Sequence, residues 1–114
     1  MKTYLLLILF TALVACEKEP GLPARGDWSG SNPNYDIQMS LAQFDILVKG
    51  SGTLTKKFAT THTYKVQIIG ECSYPYINLQ FYQGGYKWDF RGVFLDQSTI
   101  QGKLDNDLSI TFIK

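Results

Sequence analysis

The sequence predicts an all-β fold, an eight-stranded antiparallel up-and-down meander closed into a barrel. Three observations carry this expectation. From residue 26 onward apolar residues recur at every second position, with no helical period. Short segments rich in Gly, Asp, Asn and Ser separate the alternating runs. Eight such runs are enough to close a barrel and remove the free edges of a flat meander. A two-sheet β-sandwich of the same meander is the alternative architecture.

The elements follow in order. A first strand near 26–30 contains Gly26-Asp27-Trp28. The second, near 35–43, alternates Tyr35, Ile37, Met39 and Leu41 with Asp36, Gln38, Ser40 and Ala42. Successive strand residues point to opposite faces, so the first set turns inward. A turn expected at Phe44-Asp45 leads into a third strand near 46–56. It pairs Leu41 with Val48, Met39 with Gly50 and Ile37 with Gly52. The fourth strand, near 62–73, turns Tyr64, Val66 and Ile68 inward.

The strands near 76–83 and 86–95 flank Gly84-Gly85, a hairpin signal that predicts a type I′ turn with positive φ at both glycines. This turn pairs Phe81 with Trp88, Leu79 with Phe90 and Ile77 with Gly92. On the outer face it pairs Asn78 with Arg91, Gln80 with Asp89 and Tyr82 with Lys87. A slip of one residue would set the apolar set against the polar one. Asp96-Gln97-Ser98 forms a three-residue loop to a seventh strand near 99–104, pairing Phe94 with Ile100. Asp105-Asn106-Asp107 leads to the last strand, near 108–114, pairing Leu104 with Leu108, Gly102 with Ile110 and Ile100 with Phe112. Gly50, Gly52, Gly70, Gly92 and Gly102 face inward, which suits strand coiling beneath large neighbours.

Ahead of the strands lies MKTYLLLILFTALVAC. Lys2 precedes an apolar run from Tyr4 to Ala15, about 18 Å long as a helix. A membrane span must cross ~30 Å. The layout is that of a signal-peptide helix. Leu13-Val14-Ala15-Cys16 resembles the lipobox of bacterial lipoproteins. The resemblance implies cleavage of residues 1–15, diacylglycerol in thioether linkage on Cys16, and an acyl chain, typically palmitate, on the new amino terminus. Two or three chains hold a protein stably on a membrane where one does not. Glu17, rather than Asp, follows the cysteine, which points to the outer membrane of a bacterial cell envelope and leaves periplasmic or surface leaflet open. Residues 16–25, with Pro20, Gly21 and Pro23, read as a lipidated tether, and residues 26–114 as the folded domain.

Composition narrows the function classes. Cleavage leaves ten Lys and Arg against ten Asp and Glu. No basic cluster extends beyond Lys56-Lys57, so nucleic acid is not an expected partner. With Cys16 lipidated, Cys72 stands alone, which rules out an intramolecular disulfide and a thiolate zinc cluster. No cofactor or metal is expected. A transmembrane barrel is also excluded: Lys49, Lys65, Gln67, Asp89, Arg91 and Lys103 lie on the face that lipid would cover, and eight strands leave no lumen for them.

Gly26-Asp27-Trp28 resembles the Gly-x-Trp at the start of lipocalins and avidin-like barrels. Leu41-Ala42-Gln43-Phe44-Asp45-Ile46-Leu47-Val48-Lys49-Gly50-Ser51-Gly52-Thr53-Leu54 looks like the second hairpin of small lipocalin-like lipoprotein domains. Lipocalins stack an arginine of the last strand on that tryptophan, whereas here the last strand offers Lys114. Avidin-like pockets use several tryptophans and this chain has Trp28 and Trp88 alone, so biotin binding is not implied. Met39, Phe81, Trp88, Phe90, Phe94 and Phe112 all turn inward, enough bulk to fill so small a barrel.

No residue pattern supports an enzyme. His62 is the one histidine and reads as an exposed loop residue without a nucleophile. Asp105 and Asp107 are turn residues rather than a calcium loop. Cys72 shares the parity of Ile68 and Gly70 and reads as a buried thiol. The candidates for binding are aromatic. Tyr74, Tyr86 and Trp88 are expected at one barrel mouth, with Tyr76 and Tyr82 facing outward, since tyrosines give large contact area at low entropic cost. The expected function is a non-catalytic, membrane-anchored lipoprotein that binds a small apolar ligand or an envelope protein there. The alternative is a protein-inhibitor or envelope-assembly role through loops and the outer face.

Overall fold

The computed structural model describes residues 22–105 and 108–114. The signal-peptide helix, Cys16 and Asp107 lie outside the described residues. The strands are β1 (Gly26–Ser31), β2 (Tyr35–Phe44), β3 (Leu47–Lys56), β4 (His62–Ser73), β5 (Tyr76–Gln83), β6 (Tyr86–Asp96), β7 (Thr99–Leu104) and β8 (Leu108–Ile113). Each pairs antiparallel with the next and β8 returns to β1, giving a closed barrel and not a sandwich.

Strict alternation drives this closure. In β2 every residue from Tyr35 to Phe44 is buried or exposed in turn, so one face of the ribbon must find a core. The barrel supplies it: Ile37, Leu54, Val66, Leu79, Phe81 and Phe90 from successive strands point to a common axis. Phe90 and Phe112 meet edge to face with ring centroids 5.1 Å apart. The interior is solid. Leu54, Phe81, Phe90, Ile100, Leu104 and Phe112 are all 0% accessible, whereas a void large enough for a ligand would leave accessible surface on the side chains lining it.

The β5–β6 ladder has the expected register, with Phe81 opposite Trp88 and Asn78 opposite Arg91. Its turn differs in one respect: of the two glycines Gly84 alone takes positive φ, 56°, the sign pattern of type II′ rather than I′. The β7–β8 pairs also agree with expectation. The β2–β3 turn does not. It falls at Asp45-Ile46, so Leu41 pairs with Gly50, Met39 with Gly52 and Ile37 with Leu54. Asp45 takes the left-handed conformation, φ 58°, and its carbonyl accepts a hydrogen bond from Gln43 Nε2 at 2.7 Å. Moving a turn by one residue shifts register by two, which leaves every side chain on its expected face. Phe94 pairs with Ile100 as expected, but Asp96 pairs with Thr99 across a bulge. The connection is therefore Gln97-Ser98, held by Ser98 N–H donating to the Asp96 carboxylate at 2.8 Å.

The inward glycines permit close strand contact. A Cβ on Gly102 would sit 2.1 Å from the Arg91 carbonyl oxygen, and one on Gly70 would sit 1.9 Å from that of Asn78. Both obstacles are backbone, so neither can swing aside.

Residues 22–25, expected to belong to the tether, are packed. Pro23 and Ala24 are buried. Ala24 N–H donates to Gln43 Oε1 at 2.9 Å, and its carbonyl accepts from Trp28 Nε1 at 2.9 Å. They cap one end of the barrel, and Lys114 completes the cap, its Nζ 5.0 Å from the Trp28 ring centroid. A cation thus covers the first-strand tryptophan, supplied by lysine. The closing seam is short: β1 and β8 pair only through Ser29–Ile113, Gly30–Phe112 and Ser31–Thr111.

Candidate functional site

Antiparallel connections alternate between the two barrel ends. The capped end carries Leu22–Arg25, the β2–β3, β4–β5 and β6–β7 turns, and Lys114. The far end carries the β1–β2, β3–β4, β5–β6 and β7–β8 connections. This separates the aromatic residues expected to share one mouth. Tyr74, in the β4–β5 turn, lies at the capped end with its ring 5.1 Å from Phe94. Tyr76 opens β5 at the same end and is exposed. Tyr86 and Trp88 open β6 at the far end.

The far-end cluster is larger than the sequence suggested. Tyr64 lies 5.6 Å from Tyr86 and 5.4 Å from Trp88, and Tyr86 stacks over Trp88 at 6.0 Å with 25° between planes. His62 adds its ring 4.5 Å from Tyr64, at the start of β4 rather than in a free loop. The inward parity of Tyr64, Val66 and Ile68 extends back to His62, and this was the available signal. Trp88 is buried and closes the barrel, while Tyr86 stands exposed above it. Beside them Tyr35 and Phe58 meet edge to face at 5.7 Å, with Lys56 Nζ 5.0 Å from the Phe58 ring.

Tyr82 is outward, as expected, and its hydroxyl donates to Gln80 Oε1 at 2.9 Å. It borders a groove of about 670 Å³ on the outer wall of β3–β6. Leu47, Ile69 and Tyr82 give apolar surface, and Glu71, Lys87 and Arg91 give charges of both signs. A second concavity of about 570 Å³ shares Ile69 and Tyr82 and extends to Lys49 and Gln67. Both concavities face out of the barrel.

The remaining polar candidates hold structure. Asp105, at φ 54°, donates its N–H to the Asp89 carbonyl at 2.6 Å, and its carboxylate accepts from Asp89 N–H at 2.9 Å. It locks the β7–β8 connection onto β6. Asp36 accepts from the Ser31 hydroxyl and from Lys57 Nζ at 3.1 Å. The Ser31 hydrogen bond first, and the Lys57 bond next, hold its carboxyl below the ordinary 3.8. Cys72 is a buried free thiol whose pKa burial pushes up. It is therefore less of a thiolate, and less of a nucleophile, than an exposed cysteine. Among the described residues no group of three or more His, Cys, Asp or Glu is placed to hold a metal.

Comparison with known proteins finds no matching family model, curated protein or solved structure.

Proposed function

We propose that this is a membrane-anchored, non-catalytic lipoprotein whose calycin-like barrel recognises a partner with its outer wall, at the β3–β6 groove and the adjoining aromatic end. The barrel is held by lipid on Cys16, in the outer membrane of a bacterial envelope. The observation that carries the recognition surface is where space exists. The interior has none, while a groove of about 670 Å³ runs beside Tyr82 on the outside. Binding of a small apolar ligand in the lumen has no room. This favours the protein-inhibitor or envelope-assembly role over a ligand carrier. Exposed Tyr82 and Tyr86 supply the aromatic anchors that dominate protein interfaces, with Lys87, Asp89 and Arg91 as a polar rim. Support for the anchor is the lipobox Leu13-Val14-Ala15-Cys16; support for the calycin-like barrel is Lys114 over Trp28, which takes the place of the lipocalin arginine.

Two measurements test this. Mass spectrometry of the mature amino-terminal peptide should find Cys16 acylated, and Cys16→Ser should leave the membrane fraction. An unmodified Cys16 sinks the anchor. A photo-reactive residue at Gln80 should cross-link a defined envelope component, whereas one at exposed Ser29 on β1, across the barrel from the groove, should not. Equal capture from both positions would falsify the assignment of the surface.

A further inference from the structure

The exposed apolar side chains are not spread evenly. Among the described residues eleven large ones are exposed, and seven of these lie at the capped end. Phe44 and Ile46 flank the β2–β3 turn, Tyr74 and Tyr76 the β4–β5 turn, and Leu95 and Ile113 end β6 and β8. Leu22 adds a seventh where the chain enters the cap. Their exposures run from 37% to 66%. The three at the far end, Phe58, Tyr82 and Tyr86, stand among Asn, Thr, Lys and Gly.

The chain decides what meets this rim. Leu22 lies six positions after Cys16, a distance of at most roughly 20 Å with the chain fully extended. Lipid on Cys16 would therefore hold the capped end, and not the far end, within a short reach of the bilayer. Charge gives this end no pull toward anionic lipid: Arg25 and Lys114 are outnumbered by Asp27, Asp45, Glu71 and Asp96. Tyrosine is enriched at membrane–water interfaces, its ring in the apolar region and its hydroxyl in water.

We infer that the capped end is a membrane-seating surface: Phe44, Ile46, Tyr76, Leu95 and Ile113 enter the headgroup–acyl boundary and stand the barrel upright on the bilayer. This rests on anchoring through Cys16. The far-end aromatics then face away from the membrane, toward a partner, and the groove runs up the side wall from Leu47 to Tyr82. Because the rim carries no net positive charge, seating is driven by apolar burial and does not require anionic lipid.

The test uses the mature acylated protein in phosphatidylcholine vesicles with brominated acyl chains. Trp28 and Trp88 are buried and give the background. Leu95→Trp and, as a second reporter on another strand, Ile113→Trp should lose most of their added emission to bromine, while Thr60→Trp at the far end should keep it. Added emission that stays unquenched at both rim positions, with the protein co-floating with vesicles, overturns the seating. Quenching that appears only after anionic lipid is added overturns the apolar mechanism. If the protein carries no acyl chain, the anchor has failed by itself. Residues 16–114 with Cys72→Ala, coupled through Cys16 to a maleimide lipid, then repeat the measurement. Quenching there supports the seating surface and its absence overturns it.

Discussion

Phe112→Ala should turn a solid barrel into a hollow one. Phe112 is fully buried, and its ring meets Phe90 edge to face at 5.1 Å. A buried phenylalanine hides about 150 Å² or more, which at ~25 cal/mol per Å² is roughly 4 kcal/mol of transfer energy. Measured losses for Phe→Ala in cores run about 3–5 kcal/mol, including the cavity term. A domain this size has about 5–15 kcal/mol in total, so about a quarter or more of its stability is at stake. At ~4–8 °C per kcal/mol the melting temperature should fall by about 15–30 °C. Urea titration followed by far-ultraviolet circular dichroism measures the loss. A fluorescent apolar probe measures the vacancy: the native barrel should not bind it and the variant should. Should Phe112→Ala fail to fold, Phe112→Leu opens a smaller space at lower cost and reports the same trend. A loss below about 1 kcal/mol, or equal probe binding by the native protein, would refute the reasoning that the interior is fully packed.

Two further outcomes follow from the cap and the buried thiol. Trp28→Phe keeps most of the ring but leaves the buried Ala24 carbonyl without its 2.9 Å partner, at about 1–3 kcal/mol. Trypsin should then cut after exposed Arg25 faster than in the native protein, and an unchanged rate would mean that the bond does not secure the cap. Cys72 has its folded pKa raised above the ordinary 9.0 by burial, so its contribution is fully present below that value and declines as pH rises through the folded pKa. Between about pH 8 and pH 10 the urea midpoint of the native protein should fall more than that of Cys72→Ala; parallel curves would show that the thiol is not desolvated.

Much of this architecture was legible because a period of two is a demanding pattern. A two-residue turn at Gly84-Gly85 sets Phe81 opposite Trp88 and Leu79 opposite Phe90, and the ladder has that register. The β2–β3 turn was not legible: Phe44, Asp45 and Ile46 include no glycine, and turns at either bond keep all faces correct. What selects Asp45-Ile46 includes the Gln43 side chain, which bonds the Asp45 carbonyl and, nineteen positions away, the Ala24 amide. That second bond also explains why residues 22–25 looked like a tether. Their proline-rich composition is loop-like, and their order comes from contacts distant in sequence. The misplaced mouth had a simpler cause. Tyr74 and Tyr86 are close in sequence, but one whole strand lies between them, and its length sets them at opposite ends. The aromatic cluster of Tyr64, Tyr86 and Trp88 needed the curl of the sheet that brings β4 and β6 together over β5, to which both pair.

The seam between β1 and β8 also fixes an order of events in time. Seven of the eight ladders join strands adjacent in the chain, and each can form as a local hairpin. The eighth joins residues 80 to 84 positions apart through three pairs. By loop-closure scaling, bringing such distant segments together costs about 3 kcal/mol more entropy than closing a two-residue turn, and non-local pairing of this kind slows folding. Closure is therefore the late step of assembly and, run backward, the early step of opening. Phe112 sits on that seam opposite Gly30, so the residue that fills the centre of the barrel is also the one that latches it.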